Sequence, residues 1–470
     1  MNRPTNPFDP NAGRKGTLSR RRLLAGAGGA LAAGVFAANG GVAGARRPSV
    51  ARSAARAAGR PRSGDLPTLS QWYHGYGEEG VQEAVEGYAA AYTDANVEVE
   101  WFPADYDSTL AASLLTDDGP DVFEIGNGPN LDMIRTGQVV PLDGVLGDAE
   151  GDFNEAMIKR LTFDGHLWAV PQIVDMFFLI YRKSLFEEAG LDAPQTIDDL
   201  IAAAAALTTD TRKGIFLGND GGVGPMDGLP LWSAGADFLS DDGAFGFDND
   251  AVYASFAKLH ELYQSDSILL GAPADWSAPD AFLSDLTAIQ LTGLWTFPQL
   301  LDSEFADDFD VLPWPALDAS TGAPSLPFGA YSSTVSARTA DADVAKAFVK
   351  WLWVDQTDYQ IDFATSYGFH VPARTTLAAE ADVLKEGPAA TAVQLYQEYG
   401  HPQNPILWTP ASGTAYSDAR TRIVQEGADP KAEIAAVKEI VEAELERIAS
   451  GSPTGTAGGS TAETAPATTG

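Results

Sequence analysis

The sequence predicts an α/β protein in which mainly parallel sheets are flanked by helices. Three observations carry that expectation. Apolar runs of period two alternate with runs whose apolar residues recur at helical spacing. The alternation starts near Leu66 and opens again with Gly165–Leu191. The chain has 470 residues, which is more than one simple core accommodates and points to two or three domains.

The elements follow in order from Leu66. LPTLSQWYHGYGEEG reads as strand, turn and helix start. VQEAVEGYAAAY then sets Val81, Ala84, Val85, Tyr88, Ala89 and Tyr92 on one helical face. In VEVEW the alternation of Val97, Val99 and Trp101 marks a strand. A helix around 107–116 is followed by PDVFEIGNG, a strand that stops at Gly126-Asn127-Gly128. Parallel sheets of this kind bind ligands beyond the carboxyl ends of their strands. Trp72-Tyr73-His74 and Gly126-Asn127 are the turns that would lie there.

The second segment contains one oddity: the apolar strand Ala169–Tyr181 carries a single acid, Asp175. Either the acid marks a strand end or bulge open to water, or the strand crosses between two lobes and the acid faces a cleft. A helix over 184–190 stops at Gly190, and Thr196 with Asp199 makes a capping box for the next. KGIFLG is a short strand, NDGGVGPMDG a glycine-rich loop, and SDDGAFGFDND a hairpin turning at Asp242-Gly243. AIQLTGLW and DFDVLPW are further strands, and GAYSSTVSA begins a return toward the first segment. DVAKAFVKWLW and AEIAAVKEIVEAELERI are amphipathic helices.

Charge is divided unevenly. Residues 1–66 hold 12 of the 30 Lys and Arg but 2 of the 65 Asp and Glu, so the remainder sets 18 bases against 63 acids. A body this acidic does not bind nucleic acid or anionic lipid through charge. At molar salt the Debye length falls to about 3 Å and mutes the self-repulsion, so a halophile's exported protein fits the composition. No EF-hand loop accompanies the acids, which leaves calcium unsupported. The absence of cysteine excludes disulfides, thiol catalysis and a lipid-modified cysteine anchor.

The N-terminus reads as a targeting segment. Thr17-Leu18-Ser19-Arg20-Arg21-Arg22-Leu23-Leu24 resembles a twin-arginine export signal, and the Ala/Gly stretch after it ends at Ala43-Gly44-Ala45, a small-residue cleavage pattern. The alternatives are a basic tail or a retained anchor, for which the glycine-rich stretch is poorly apolar. Residues 1–45 are therefore expected to be the leader, 46–66 a basic linker, and 450–470 a low-complexity tail.

The sequence carries few catalytic patterns. His260-Glu261 lacks the second His of a zincin, and no GxSxG elbow or GxxxxGK[ST] loop occurs. GNDGGVG at 218–224 fits no phosphate-binding pattern. Aromatic residues at strand ends and beside Gly or Pro remain: Trp72, Tyr73, Trp232, Trp295, Tyr331 next to Gly329, and Trp408 near Pro410. An aromatic face stacks on the apolar face of a pyranose, while Asp175, Asn127 and His74 offer hydrogen bonds to its hydroxyls. Core packing is the competing role for each ring, and their grouping at strand ends favours the site.

The order of motifs is similar to that of the extracellular solute-binding proteins of ABC importers, in particular the sugar-binding family that includes maltose-binding proteins. It rests on Gly119-Pro120-Asp121-Val122, Gly137-Gln138-Val139-Val140-Pro141-Leu142, Gly165-His166-Leu167-Trp168-Ala169-Val170-Pro171 and Leu179-Ile180-Tyr181-Arg182-Lys183. Leu185 to Leu191 and Pro194 to Leu200 continue it, with looser markers at Ala345, Phe348-Val349 and Gly368-Phe369-His370-Val371-Pro372. The resemblance implies a two-lobed, periplasmic-binding-protein-like fold, with lobes over 67–174 plus 314–370 and 175–313 plus 371–449. Ligand would lie between them at the hinge. It also implies that Asp175 faces a sugar from the crossing strand and that Asn127 sits on a first-lobe turn. Trp295 would be a stacking aromatic, and either Trp408 or Tyr416 the late one.

On that basis the expected protein is a monomeric, exported receptor without enzymatic activity or cofactor. It would capture a sugar or oligosaccharide and deliver it to ABC permease subunits. A secreted carbohydrate-active enzyme and a receptor for a polyamine-like cation are the alternatives.

Overall fold

The computed structural model describes residues 66–103, 105–116 and 118–451. The expected leader, nearly all of the linker and the tail beyond Gly451 lie outside these residues.

Fourteen strands follow one another along the described chain. β1 (Thr68–His74), β2 (Asn96–Phe102) and β3 (Val122–Gly126) alternate with helices Val81–Ala91 and Tyr106–Ser113. A small hairpin of β4 (Thr162–Phe163) and β5 (His166–Leu167) leads to β6 (Val170–Pro171) and the ten-residue β7 (Ile173–Arg182). Then come β8 (Lys213–Phe216), β9 (Thr287–Gly293), β10 (Phe309–Leu312) and β11 (Leu326–Gly329). β12 (Tyr331–Val335), β13 (Val371–Pro372) and β14 (Gly400–Pro402) complete the set.

Apart from the β4–β5 hairpin, they form two sheets, one per lobe. The first has the order β2-β1-β3-β12-β6, with β1 parallel to both β2 and β3. The second has the order β14-β11-β7-β9-β8, and β10 and β13 also pair with β7. Here the structure differs from the expectation of mainly parallel sheets. Every pairing of β7, with β9, β10, β11 and β13, is antiparallel, while β8–β9 and β11–β14 are parallel. The cause is β7 itself. It enters from the first lobe, so strands heading back toward that lobe run against it.

Each sheet has its own apolar core. Val85, Tyr88, Phe348, Leu352 and Trp353 pack against the first. Leu200, Ile215, Phe256, Trp314 and Tyr416 fill the second. β7 reads as a nearly unbroken apolar run because the sheet and its helices cover both faces of it. The return to the first lobe falls later than the expected residue 314. Trp314 and Leu317 belong to the second core and β11 pairs with β7, so the chain re-enters the first sheet at Tyr331. Local signals act as the residues suggest: Thr196 and Asp199 form the capping box, and Gly190 ends its helix at φ 64°.

Candidate functional site

Three crossings join the lobes. Gln172 alone separates β6 from β7, and Ala330 alone separates β11 from β12. The third runs from the helix Thr357–Thr365, which packs in the first core, to β13 on the second sheet. All three meet at Asp175. Gly329 is its register partner across β11–β7, and its Oδ1 lies 2.5 Å from Nδ1 of His370 on the third crossing. The other ring nitrogen of His370 is 3.1 Å from Glu78, in the first-lobe loop after β1. The side chain of Asp175 keeps 18% of its surface exposed, whereas His370 keeps 5%. Burial alone would lower the imidazole, but the charge and hydrogen bond of Asp175, then those of Glu78, push it up to about 10.

The first-lobe side is built on the buried carboxylate of Glu124 in β3. It accepts from the backbone N–H of His74 at 2.8 Å and from Tyr76 Oη at 2.9 Å, and it pairs with the imidazole of His74. Tyr106 donates to the Glu124 carbonyl. The His74 ring then stacks on Tyr331, centroids 4.2 Å apart and planes within 16°. Burial, then the charges of Glu124, Asp107, Asp175 and Glu78, hold the Tyr331 phenol protonated well above its usual range. Tyr331 therefore remains a donor.

The second-lobe side is apolar. Phe177 lies two residues beyond Asp175 on the same face of β7, and both are partly exposed. Phe177 pairs with Gly293 at the end of β9, and Trp295 follows. Trp276 completes a three-ring group: Phe177–Trp276 5.1 Å, Phe177–Trp295 5.5 Å and Trp276–Trp295 5.8 Å, all edge-to-face. Trp295 Nε1 donates to the Ser277 carbonyl at 2.7 Å, which fixes the indole. The loops behind are tied as well: Asp275 Oδ1 accepts from the backbone N–H groups of Asn219 and Trp276.

A further segment, after β14, touches both lobes. Asn127 Nδ2 donates to Gln403 Oε1 at 3.3 Å, and Arg160 Nε donates to the Asn404 carbonyl. Gly329 makes room for this meeting: a Cβ there would stand 2.2 Å from Asn127 Oδ1 and 2.6 Å from Gln403 Oε1. Asn127, at φ 58°, also holds Ala330 through its backbone N–H and side-chain oxygen.

The ten expected site residues thus separate into two groups. His74, Asn127, Asp175, Gly329 and Tyr331 converge on the crossings, and Trp295 stands on the second-lobe side. The other four are packed. Tyr73 is fully buried, because alternation along β1 turns it away from Trp72 and His74 onto Trp101. Trp72 packs on Phe102 in the first lobe. Trp232 lies in the second core, its N–H donated to Asp237 and its face covered by His401. Trp408 is wedged among Phe238, Phe247 and Tyr416. Trp72 and Tyr73 stand within β1 and not in a turn after it, and Trp232 ends a short helix, Leu229–Trp232. Gly- and Pro-rich surroundings suggested exposure for Trp232 and Trp408, but both belong to the second core. Sequence reasoning passed over Glu78, Glu124, Phe177, Trp276 and Gln403 as site residues. Only Phe177 left a usable sign, its two-residue spacing from Asp175.

The model for the bacterial extracellular solute-binding proteins matches residues 74–355. The chain belongs to that family. Among its relatives is the diacetylchitobiose binding protein DasA of Streptomyces coelicolor, 26% identical over 294 residues that cover 60% of this chain and 66% of that protein. An arabinooligosaccharide-binding protein of Halalkalibacterium halodurans is 22% identical over 58% of this chain and 64% of its own. The match thus spans slightly less than two thirds of either relative. Among solved structures, the GacH receptor of Streptomyces glaucescens superimposes with a TM-score of 0.70 at 21% identity, over 81% of this chain and 99% of that one. A maltose-bound MalE3 of T. maritima gives 0.67 at 20% identity, over 80% and 99%. At such identity these likenesses speak to the two-lobed fold.

Proposed function

We propose that this protein is the exported binding component of an ABC importer, holding a neutral sugar or oligosaccharide between its lobes and passing it to a membrane permease. One observation carries the reading. Asp175, on a single strand crossing between lobes, shares a strand face with Phe177, so a hydrogen-bonding acid and a three-ring group lie side by side. That pairing suits a pyranose, which offers hydroxyls at its edge and C–H groups on its face. The relatives, named as binding proteins for diacetylchitobiose and arabinooligosaccharides, support the same ligand class.

A micromolar site needs about −8 kcal/mol. Hydrogen bonds to a charged group contribute roughly 1.5–3 kcal/mol each and ring contacts about 0.5–1.5 kcal/mol, so Asp175 and the rings supply a large share of the gross energy, with Tyr331 and Asn127 adding further hydrogen bonds. Asp175, Tyr331, Asn127 and Trp295 are the residues to which this reading assigns ligand contact. Export through the twin-arginine route and a monomeric state belong to the same proposal. Among the described residues no helix is long and apolar enough to cross a membrane.

Calorimetric titration of the purified protein with neutral oligosaccharides, followed by chromatography of the recovered sugar, separates receptor from enzyme. A saturable one-site isotherm with the sugar recovered intact is expected. Shortened products would make the carbohydrate-active enzyme the better account.

A further inference from the structure

A lone imidazole stands between two carboxylates of different lobes. His370 Nδ1 faces Asp175 Oδ1 at 2.5 Å, and Nε2 faces Glu78 Oε1 at 3.1 Å. A neutral imidazole has one donor and one acceptor, so it would turn a lone pair onto one of the two acids. Only the imidazolium donates at both nitrogens. The contact is built into the chain: a Cβ at position 368 would stand 2.5 Å from His370 Nε2 and 3.0 Å from Glu78 Oε1, so Gly368 makes the approach possible. The three side chains are 5%, 9% and 18% exposed for His370, Glu78 and Asp175, so water screens them little.

Resting on the sugar-receptor reading, we propose that His370 is an internal counter-cation which fits this acidic site to an uncharged ligand and makes it reject an aminated one. Without the imidazolium, Asp175 and Glu78 would present two uncompensated carboxylates at the crossings, a site that favours a protonated amine. Of the charged and titratable groups nearby, the His74 imidazole also acts on Glu78 through its charge, but it is paired with Glu124, while Asp175 is paired with His370. Glu124 is engaged with His74 and Tyr76, the Tyr76 ring stands edge-on to His370 at 6.5 Å, and Tyr331 lies within the fields of Asp175, Glu78, Glu124 and Asp107. Asp175 has a second oxygen. Among the described residues Oδ2 has no protein donor, so His370 fixes one oxygen and leaves the other for a ligand hydroxyl. His370 is therefore a positioning residue for Asp175. Burial pushes the Glu78 carboxyl up, but the hydrogen bond and charge of His370, followed by a backbone hydrogen bond at Glu78 and the charge of His74, outweigh it and hold the group below its usual range.

The test has two arms. In the intact protein with nitrogen-15-labelled histidine, magnetic resonance at about pH 8 should show His370 protonated at both nitrogens, far above an ordinary histidine. In the Asp175→Asn, Glu78→Gln double variant it should be neutral. A neutral His370 in the parent protein overturns the proposal whatever the ligand is. The second arm, run at mildly acid pH so that the sugar amines are protonated, uses N,N′-diacetylchitobiose and chitobiose, the same disaccharide without and with cationic amines. The parent should prefer the neutral probe, and His370→Gln should shift the ratio of the two affinities by about tenfold or more toward the amine. Equal losses for both probes would reduce His370 to a structural part and sink the idea. If neither sugar binds the parent, this disaccharide is not its ligand, a failure of that ligand choice and not of the counter-cation. The counter-cation is then judged with putrescine, which the parent should exclude and His370→Gln admit; no difference between them overturns it.

Discussion

The two sides of the candidate site are built by opposite means. On the first lobe, Glu124, His74, Tyr76, Tyr106 and Tyr331 interlock through hydrogen bonds and one ring stack around a buried carboxylate. On the second, Phe177, Trp276 and Trp295 meet edge to face, with the Trp295 indole N–H held by the Ser277 carbonyl. The difference assigns the tasks. On the receptor reading, the polar side would set direction and charge, because its groups are donors and acceptors held at fixed positions. On the same reading, the aromatic side would supply contact area that tolerates different ligands. Asp175 and Phe177 bring the two together on one strand face, and His370 sets the charge where they meet.

The largest expected effect separates a buried ring from an exposed one on the second lobe. Trp232→Ala should cost about 3–5 kcal/mol of stability, because it empties a site in the core. Denaturant unfolding measures that loss, and the folded fraction should bind ligand as before. Trp295→Ala should do the reverse. Its ring is partly exposed, so affinity should fall by about three- to tenfold, as expected for a stacking contribution of about 0.5–1.5 kcal/mol, with stability nearly unchanged. Should Trp232→Ala weaken binding more than Trp295→Ala in folded protein, the division of buried from exposed rings is mistaken.

The polar side is sharpened by pH. His370 is raised above its unfolded value of about 6.5, so its contribution is complete below that pH and is lost as pH climbs through about 10. Stability measured by urea unfolding should therefore decline between about pH 6.5 and 10, and His370→Gln should flatten that decline. The smallest effect concerns the whole body. With 63 acids against 18 bases beyond residue 66, melting temperature should rise from dilute to molar KCl as self-repulsion is screened. An unchanged melt would remove the link between composition and high salt.

Much of this architecture was legible in the residues, and the rest was hidden for physical reasons. Strand and helix order followed from periodicity, and a lone acid in an apolar run marked Asp175. The antiparallel surroundings of β7 were not legible, since a strand carries no sign of its neighbours' direction. Phe177 has the composition of a core residue, and its exposure depends on which face the crossing presents. Trp232 and Trp408 stand beside Gly and Pro, as exposed loop aromatics do, yet tertiary packing covers them. His370 lies 195 residues from Asp175, so only folding reveals the pair. Charge pairing across lobes is a property of the closed chain path, and local pattern does not encode it.

The most direct test is a calorimetric comparison of the parent protein with Asp175→Ala, using whichever neutral oligosaccharide binds the parent best. Losing a hydrogen bond to a charged group should weaken the variant by at least about tenfold. An affinity equal to that of the parent would contradict the account, since the acid at the crossing would then have no part in holding the sugar.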